Sequence, residues 1–191
     1  NHLERFAADT KNVKFKNGIL LLGRLQRPRK PGRGDEPISA VKLASAEQRT
    51  LVPSFRSPER SDDLAVIIGI ESYSDIASKA PYAERDADAF KAHVRALGVP
   101  ERNIVLLKGT KAGRASLVKN IEQWLPRLTK ADSRVYFYFS GHGAPDVKTG
   151  QAYLVPWDGD PNFLESTAYP VAQLYKKLGE LPAKRVLVAM D

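Results

Sequence analysis

His142 stands between Gly141 and Gly143 at the end of the run Arg134-Val-Tyr-Phe-Tyr-Phe-Ser-Gly-His-Gly143. Imidazole is the side chain whose ordinary pKa lies closest to neutrality, so a presented histidine can take up and return a proton at physiological pH. Glycine on both sides lets the backbone turn sharply and brings its N–H groups near whatever the ring touches. Together these features suit a working histidine presented at a strand end. The same residues also fit a surface turn in which His142 is incidental, because short motifs match by chance.

Other candidates are weaker. His2 lies in an N-terminal extension and His93 in a helical pattern, and no pair among the three histidines has metal-ligand spacing, so no zinc site is expected. The chain has no cysteine, hence no disulfide and no thiolate metal site. Its glycines form neither GxxxxGK[ST] nor GxGxxG, so nucleotide binding has no support. Ser140 does not sit in GxSxG, which argues against a serine-hydrolase elbow. Asp158-Gly-Asp160 starts like a calcium loop, but the ligand spacing fails after three residues and the segment reads as a turn.

The elements that would hold His142 follow from hydrophobic periodicity. Leu64-Ala-Val-Ile-Ile-Gly-Ile70 is a continuous apolar run, as expected of a strand covered on both faces. Ala87, Phe90, Val94 and Leu97 recur at helical spacing and are closed by Gly98 and Pro100. A strand over 103–108 precedes a second helix whose apolar stripe is Leu117, Val118, Ile121, Trp124, Leu125 and Leu128. The aromatic strand 134–140 comes next, then a polar turn and a short strand over 151–156 that reads as half of a hairpin. A helix over 170–179 turns Val171, Leu174 and Leu178 inward, and the buried strand 185–191 ends at Asp191.

Strands and helices alternate four times, which predicts an α/β fold with a mostly parallel sheet flanked by helices. Chemistry in such sheets gathers beyond the carboxyl ends of the strands. Ser140-Gly-His142 and Asp191 then share one edge, on strands about 4.8 Å apart if they are neighbours.

The net charge of +8 is uneven. Residues 1–60 hold thirteen Lys/Arg against six Asp/Glu, whereas 61–191 hold seventeen against sixteen. The excess therefore belongs to an N-terminal extension, 1–61, and not to the domain 62–191, and no nucleic-acid partner is expected. Within the extension, 24–61 reads as a basic Pro/Gly linker, and 12–22 as a short hairpin or an added edge strand. No apolar run approaches the roughly 20 residues of a membrane span, and no membrane partner is expected.

Val66-Ile-Ile-Gly-Ile-Glu-Ser-Tyr73, Glu84-Arg-Asp-Ala87, Tyr138-Phe-Ser-Gly-His-Gly143 and Val186-Leu-Val-Ala-Met-Asp191 occur in that order. As an ordered set over 62–191 they resemble the caspase/metacaspase family of cysteine peptidases, closer to its bacterial caspase-like and metacaspase branches than to animal caspases. The resemblance implies a three-layer caspase-like fold, represented by its N-terminal, large-subunit-like part and truncated at the C-terminus. It implies His142 as catalytic base, with the N–H of Gly143 in the oxyanion hole. It further implies Asp86 and Asp191 as an acidic pocket for the P1 residue, with Ser140 alongside, and hence cleavage of protein or peptide substrates after Arg or Lys. In the family a cysteine nucleophile follows as Asp-(Ser/Ala)-Cys, two residues past Asp191. This chain as written has no nucleophile, and the C-terminal remainder of the domain, as a separate chain, is an expected partner. No cofactor is implied, and calcium activation is not indicated. The alternative is an inactive homologue kept as a protein-interaction module.

Overall fold

The computed structural model describes residues 20–23 and 53–191. The first strand, β1 (Leu20–Gly23), is followed by β2 (Leu64–Gly69), helix α1 (Ala83–Ala96) and β3 (Ile104–Lys108). A continuous helical stretch comprises α2 (Arg114–Val118), a π-helical segment Lys119–Trp124, and α3 (Leu125–Leu128). Then come β4 (Arg134–Ser140), β5 (Gly143–Pro145) and β6 (Ala152–Leu154). A short helix α4 (Leu164–Thr167) and strand β7 (Tyr169–Pro170) lead into α5 (Val171–Gly179) and β8 (Arg185–Met190).

The main sheet runs β1-β8-β4-β2-β3, and every pairing is parallel. β2 and β4 sit in its middle, which is why their side chains are buried almost without interruption. Successive residues of a strand face opposite sides. Leu64, Val66 and Ile68 join Val135, Phe137, Phe139, Val186 and Val188 on one face, against Leu117, Ile121, Leu125, Leu174 and Leu178. Ala65, Ile67, Tyr136, Tyr138 and Ala189 line the other, against Ala87, Phe90 and Val94 of α1. This is the three-layer, mostly parallel α/β arrangement expected of a caspase-like fold. Among the described residues no helix is long and apolar enough to cross a membrane.

One local feature departs from the periodicity. The stripe on the second helical stretch excludes Leu128, which is 40% exposed. The π-helical turn changes the winding, so the fully buried positions recur every fourth residue at Leu117, Ile121 and Leu125, and the inward place at the end goes to Thr129. The Thr129 hydroxyl donates to the Leu125 carbonyl at 2.6 Å and closes the helix. Gly98 closes α1 as expected, with φ +103°, and an added Cβ there would lie 2.3 Å from the Pro58 carbonyl oxygen. Residues 53–61 run past that point, with the Ser57 and Arg60 N–H groups donating to the carbonyls of Ala96 and Gly98. The rest of the expected linker, 24–52, lies outside the described residues, as do 12–19 of the segment expected as hairpin or edge strand. β1, at 20–23, pairs with β8 from Leu20↔Leu187 to Gly23↔Met190.

Buried Asp63 ties the amino ends of the central strands together. Its carboxylate accepts from Arg60 Nε at 2.7 Å and from the Arg134 N–H at 2.9 Å, and its carbonyl accepts from Asn103 Nδ2 at 2.9 Å. That network is at the edge opposite the candidate site.

Candidate active site

β4 and β8 are direct neighbours, with Phe139 paired to Met190. The ladder continues one residue further: the Asp191 N–H donates to the Phe139 carbonyl at 3.0 Å, and the Asp191 carbonyl accepts from the Gly141 N–H at 3.4 Å. Asp191 is therefore seated beside Ser140. On its other side Ser140 pairs with Gly69, and its carbonyl accepts from the Ile70 N–H at 3.0 Å. The ends of β2, β4 and β8 form a common ledge, and the chain of β4 leaves it as Gly141-His142-Gly143.

His142 is held at four points. Its N–H donates to the Tyr73 hydroxyl at 2.5 Å, and its carbonyl accepts from the Val155 N–H at 3.0 Å. Its ring stacks on Tyr73 with centroids 4.7 Å apart and 19° between the planes. Its Nε2 lies 2.9 Å from the Ser78 carbonyl oxygen. A carbonyl can only accept, so in the neutral ring Nε2 carries the proton and Nδ1 carries the lone pair. The basic nitrogen of His142 is thus Nδ1. Gly141 is required by the crowding here, because a Cβ on it would lie 2.7 Å from the Tyr73 hydroxyl oxygen.

Gly143 opens β5, the outer strand of an antiparallel sheet ordered β5-β6-β7. The Val155-to-His142 bond marks 142 and 155 as a hydrogen-bonded pair. In antiparallel ladders such pairs alternate with non-bonded ones, so Gly143↔Leu154 is a non-bonded pair. The Gly143 N–H therefore points away from β6, toward the open side of β5.

The helix α1 begins above the end of β2. A Cβ on Gly69 would lie 2.6 Å from the Ala83 carbonyl oxygen and 2.7 Å from Ala87 Cβ, so only glycine lets helix and strand approach this closely. Positions around α1 advance by about 100° per residue. Glu84 and Asp88 face β3: Asp88 pairs with Lys108 at 2.8 Å, and Glu84 Oε1 lies 3.4 Å from where a Gly109 Cβ would be. Asp86 is turned about 160–200° from both, toward β4 and β8. Phe90, one turn on from Asp86, stacks on Tyr138 of β4 with centroids 4.5 Å apart, which fixes the same side. The Asp86 carboxylate is 22% exposed, and its nearest cation is Arg85, at 3.5 Å.

Of the residues singled out in the sequence, Ser140, His142, Gly143 and Asp191 come together on one ledge, and α1 carries Asp86 on the side facing it. Two residues that touch His142 were given no role: Tyr73 and Ser78. Tyr73 carried a signal, since it closes the first motif of the resemblance. Ser78 acts through its main-chain carbonyl, so its side chain encodes nothing. Both belong to the segment following β2, which is tied down by the Ser74 N–H to the Trp157 carbonyl at 3.0 Å and the Ala80 N–H to the Glu71 carbonyl at 3.0 Å. Among the described residues no cluster of histidine, aspartate and glutamate could hold a metal ion.

Residues 62–187 match the model of the caspase domain, the C14 peptidase family. The match spans well over half of the chain, and the chain belongs to that family. Among solved structures it is similar to the Drosophila initiator caspase Dronc, with 13% identity and a TM-score of 0.47. That alignment covers 82% of this chain and 54% of the Dronc chain, so this chain spans about half the length of that relative. No curated protein matches.

Proposed function

We propose that the chain carries the base, oxyanion and P1-binding groups of a cysteine endopeptidase that cleaves after Arg or Lys, its thiol supplied from just beyond Asp191. The observation that carries this reading is the ladder pairing of Asp191 with β4, which sets the exit of β8 beside the exit that bears His142. Two further residues span at most about 7 Å when extended, within reach of a ring on the neighbouring strand.

Nδ1 of His142 takes the thiol proton, and the thiolate attacks the substrate carbonyl carbon. The carbonyl electron pair moves onto oxygen, where the outward N–H of Gly143 stabilises it. Collapse breaks the C–N bond, and Nδ1 returns its proton to the departing amine. Water then hydrolyses the acyl-enzyme by the same proton route. Ser78 holds Nε2–H throughout, so the ring has one nitrogen free for both transfers. Asp191 and Asp86 bring two carboxylates to the sheet edge, and such a pair attracts a cationic P1 side chain through charge-assisted hydrogen bonds. Ser140, on β4, is the ladder neighbour of Asp191.

The second reading is a non-catalytic caspase-like interaction module, which the absence of a cysteine just beyond Asp191 would favour. The experiment is an assay, on Arg-, Lys- and Asp-terminated reporter peptides, of the protein extended past Asp191. Hydrolysis after Arg or Lys that disappears in His142→Ala is the expected result. Preference for Asp would overturn the acidic pocket. A cysteine-containing extension with no hydrolysis at all would favour the interaction module.

A further inference from the structure

Tyr73 is buried, at 8% exposure, yet both ends of its side chain act on one residue. Its ring face lies against the His142 imidazole, and its hydroxyl accepts the His142 backbone N–H. Burial pushes the phenol's pKa up, so the hydroxyl stays protonated as a neutral acceptor. Stacking fixes the plane of the imidazole, a plane that a 180° flip about Cβ–Cγ would preserve. The hydroxyl bond fixes the backbone from which the ring hangs. With plane and root both set, the remaining choice is whether Nε2 or, after a flip, Cε1 meets the Ser78 carbonyl, and that contact is 2.9 Å to Nε2.

We propose that Tyr73 is the positioning residue of His142, clamping ring and backbone so that Nε2–H is directed at Ser78 and Nδ1 is left as the basic nitrogen. Tyr73 touches no reacting atom under this assignment. Its role in peptide hydrolysis rests on the reading given above, but the clamp itself does not. Gly141 belongs to the same device, because any Cβ there would displace the hydroxyl that accepts the His142 N–H.

The test uses the chain as it stands and reads His142 by nitrogen and proton NMR. In the unaltered protein the imidazole nitrogens should show the Nε2-protonated tautomer, and the ring protons should be shifted upfield by the stacked phenol. Tyr73→Phe keeps the stack and removes the hydroxyl. The ring shifts and tautomer should persist, while the His142 amide proton moves upfield on losing its acceptor. Tyr73→Leu removes both contacts, so the upfield ring shift should vanish and the two tautomers should mix. A merely structural tyrosine would lower the melting temperature in both variants and leave the His142 signals of the folded protein where they were. That result overturns the proposal. If Tyr73→Leu does not fold, Tyr73→Phe decides alone: an unmoved His142 amide rejects the clamp. The signals are independent of turnover, so loss of the clamp and absence of peptidase activity are separate outcomes.

Discussion

Asp191 and Gly141 share a hydrogen bond, 3.4 Å from the Gly141 N–H to the Asp191 carbonyl, across the ends of two parallel strands. The bond means that β8 does not splay from β4 at its exit. A chain continued past Asp191 would leave the sheet alongside Gly141-His142. A thiol placed two residues on should be held partly as thiolate by the neighbouring imidazole. Its free pKa would be about 8.5, and a histidine partner lowers it below about 7.5. In protein extended to include that cysteine, alkylation by iodoacetamide at pH 6.5 should slow about tenfold or more when His142 is replaced by alanine. Equal rates would separate the thiol from the histidine.

Gly69 decides how α1 meets the sheet. Gly69→Ala drives a Cβ into the Ala83 carbonyl and Ala87, both of which belong to the first turns of the helix. Overpacking of this kind costs about 1–3 kcal/mol, and the relief available is a shift of α1 away from β2. The melting temperature should fall, and the Phe90–Tyr138 stack, which lies further along α1, should loosen. Near-ultraviolet circular dichroism reports the stack. An unchanged melting temperature would show that the helix is not seated on Gly69.

The long apolar runs are legible because a strand covered on both faces needs no alternation, and the expected strands 64–70, 134–140 and 185–191 correspond to β2, β4 and β8. The ledge carrying His142 and Asp191 followed from two strands ending at the same edge. What escaped was local. The π-helical segment Lys119–Trp124 has no signature beyond an ordinary apolar stripe, and regular helical spacing carried through it predicts Leu128 inward where the structure exposes it. β5 and β7, of three and two residues and each containing proline, are too short to show a period. The contact of Ser78 with His142 is made by a carbonyl, which every residue has.

Tyr169 gives the protein an alkaline limit. Its hydroxyl is buried and donates to Glu122 Oε1 at 3.0 Å, and Gln173 Nε2 donates to the same oxygen at 2.6 Å. Burial first, then the bond to Glu122, raises the Tyr169 pKa far above the usual 10. The folded state therefore keeps the proton after the unfolded chain has lost it. The stability tied to this proton is complete below about pH 10 and declines above it, with a slope of up to about 1.4 kcal/mol per pH unit from one group. Urea unfolding between pH 8 and 11.5 should show the decline, and Tyr169→Phe should make it shallower. Parallel curves for the two proteins would assign the decline to other groups.

Under the proposed function, selectivity for a basic P1 residue would depend on which side of α1 a carboxylate occupies. Asp86 is on the β4 side with Phe90, while Glu84 and Asp88 look toward β3 and Lys108. Removing the charge at Asp86 should therefore weaken recognition of Arg, and removing it at Glu84 should not. A charge-assisted hydrogen bond contributes about 1.5–3 kcal/mol, equivalent to roughly a 13- to 160-fold loss of kcat/KM at 1.36 kcal/mol per tenfold. In the extended protein, Asp86→Asn and Asp191→Asn should each lose that much on an Arg-terminated peptide and keep most activity on a neutral one. Asp86 and Asp191 would share one cationic side chain, so the double variant should lose less than the product of the two single losses. Glu84→Gln has the same change in charge on the same helical turn and serves as the control. A loss of equal size in Glu84→Gln would mean that the helix acts through its overall charge, and the assignment of Asp86 to the pocket would fall.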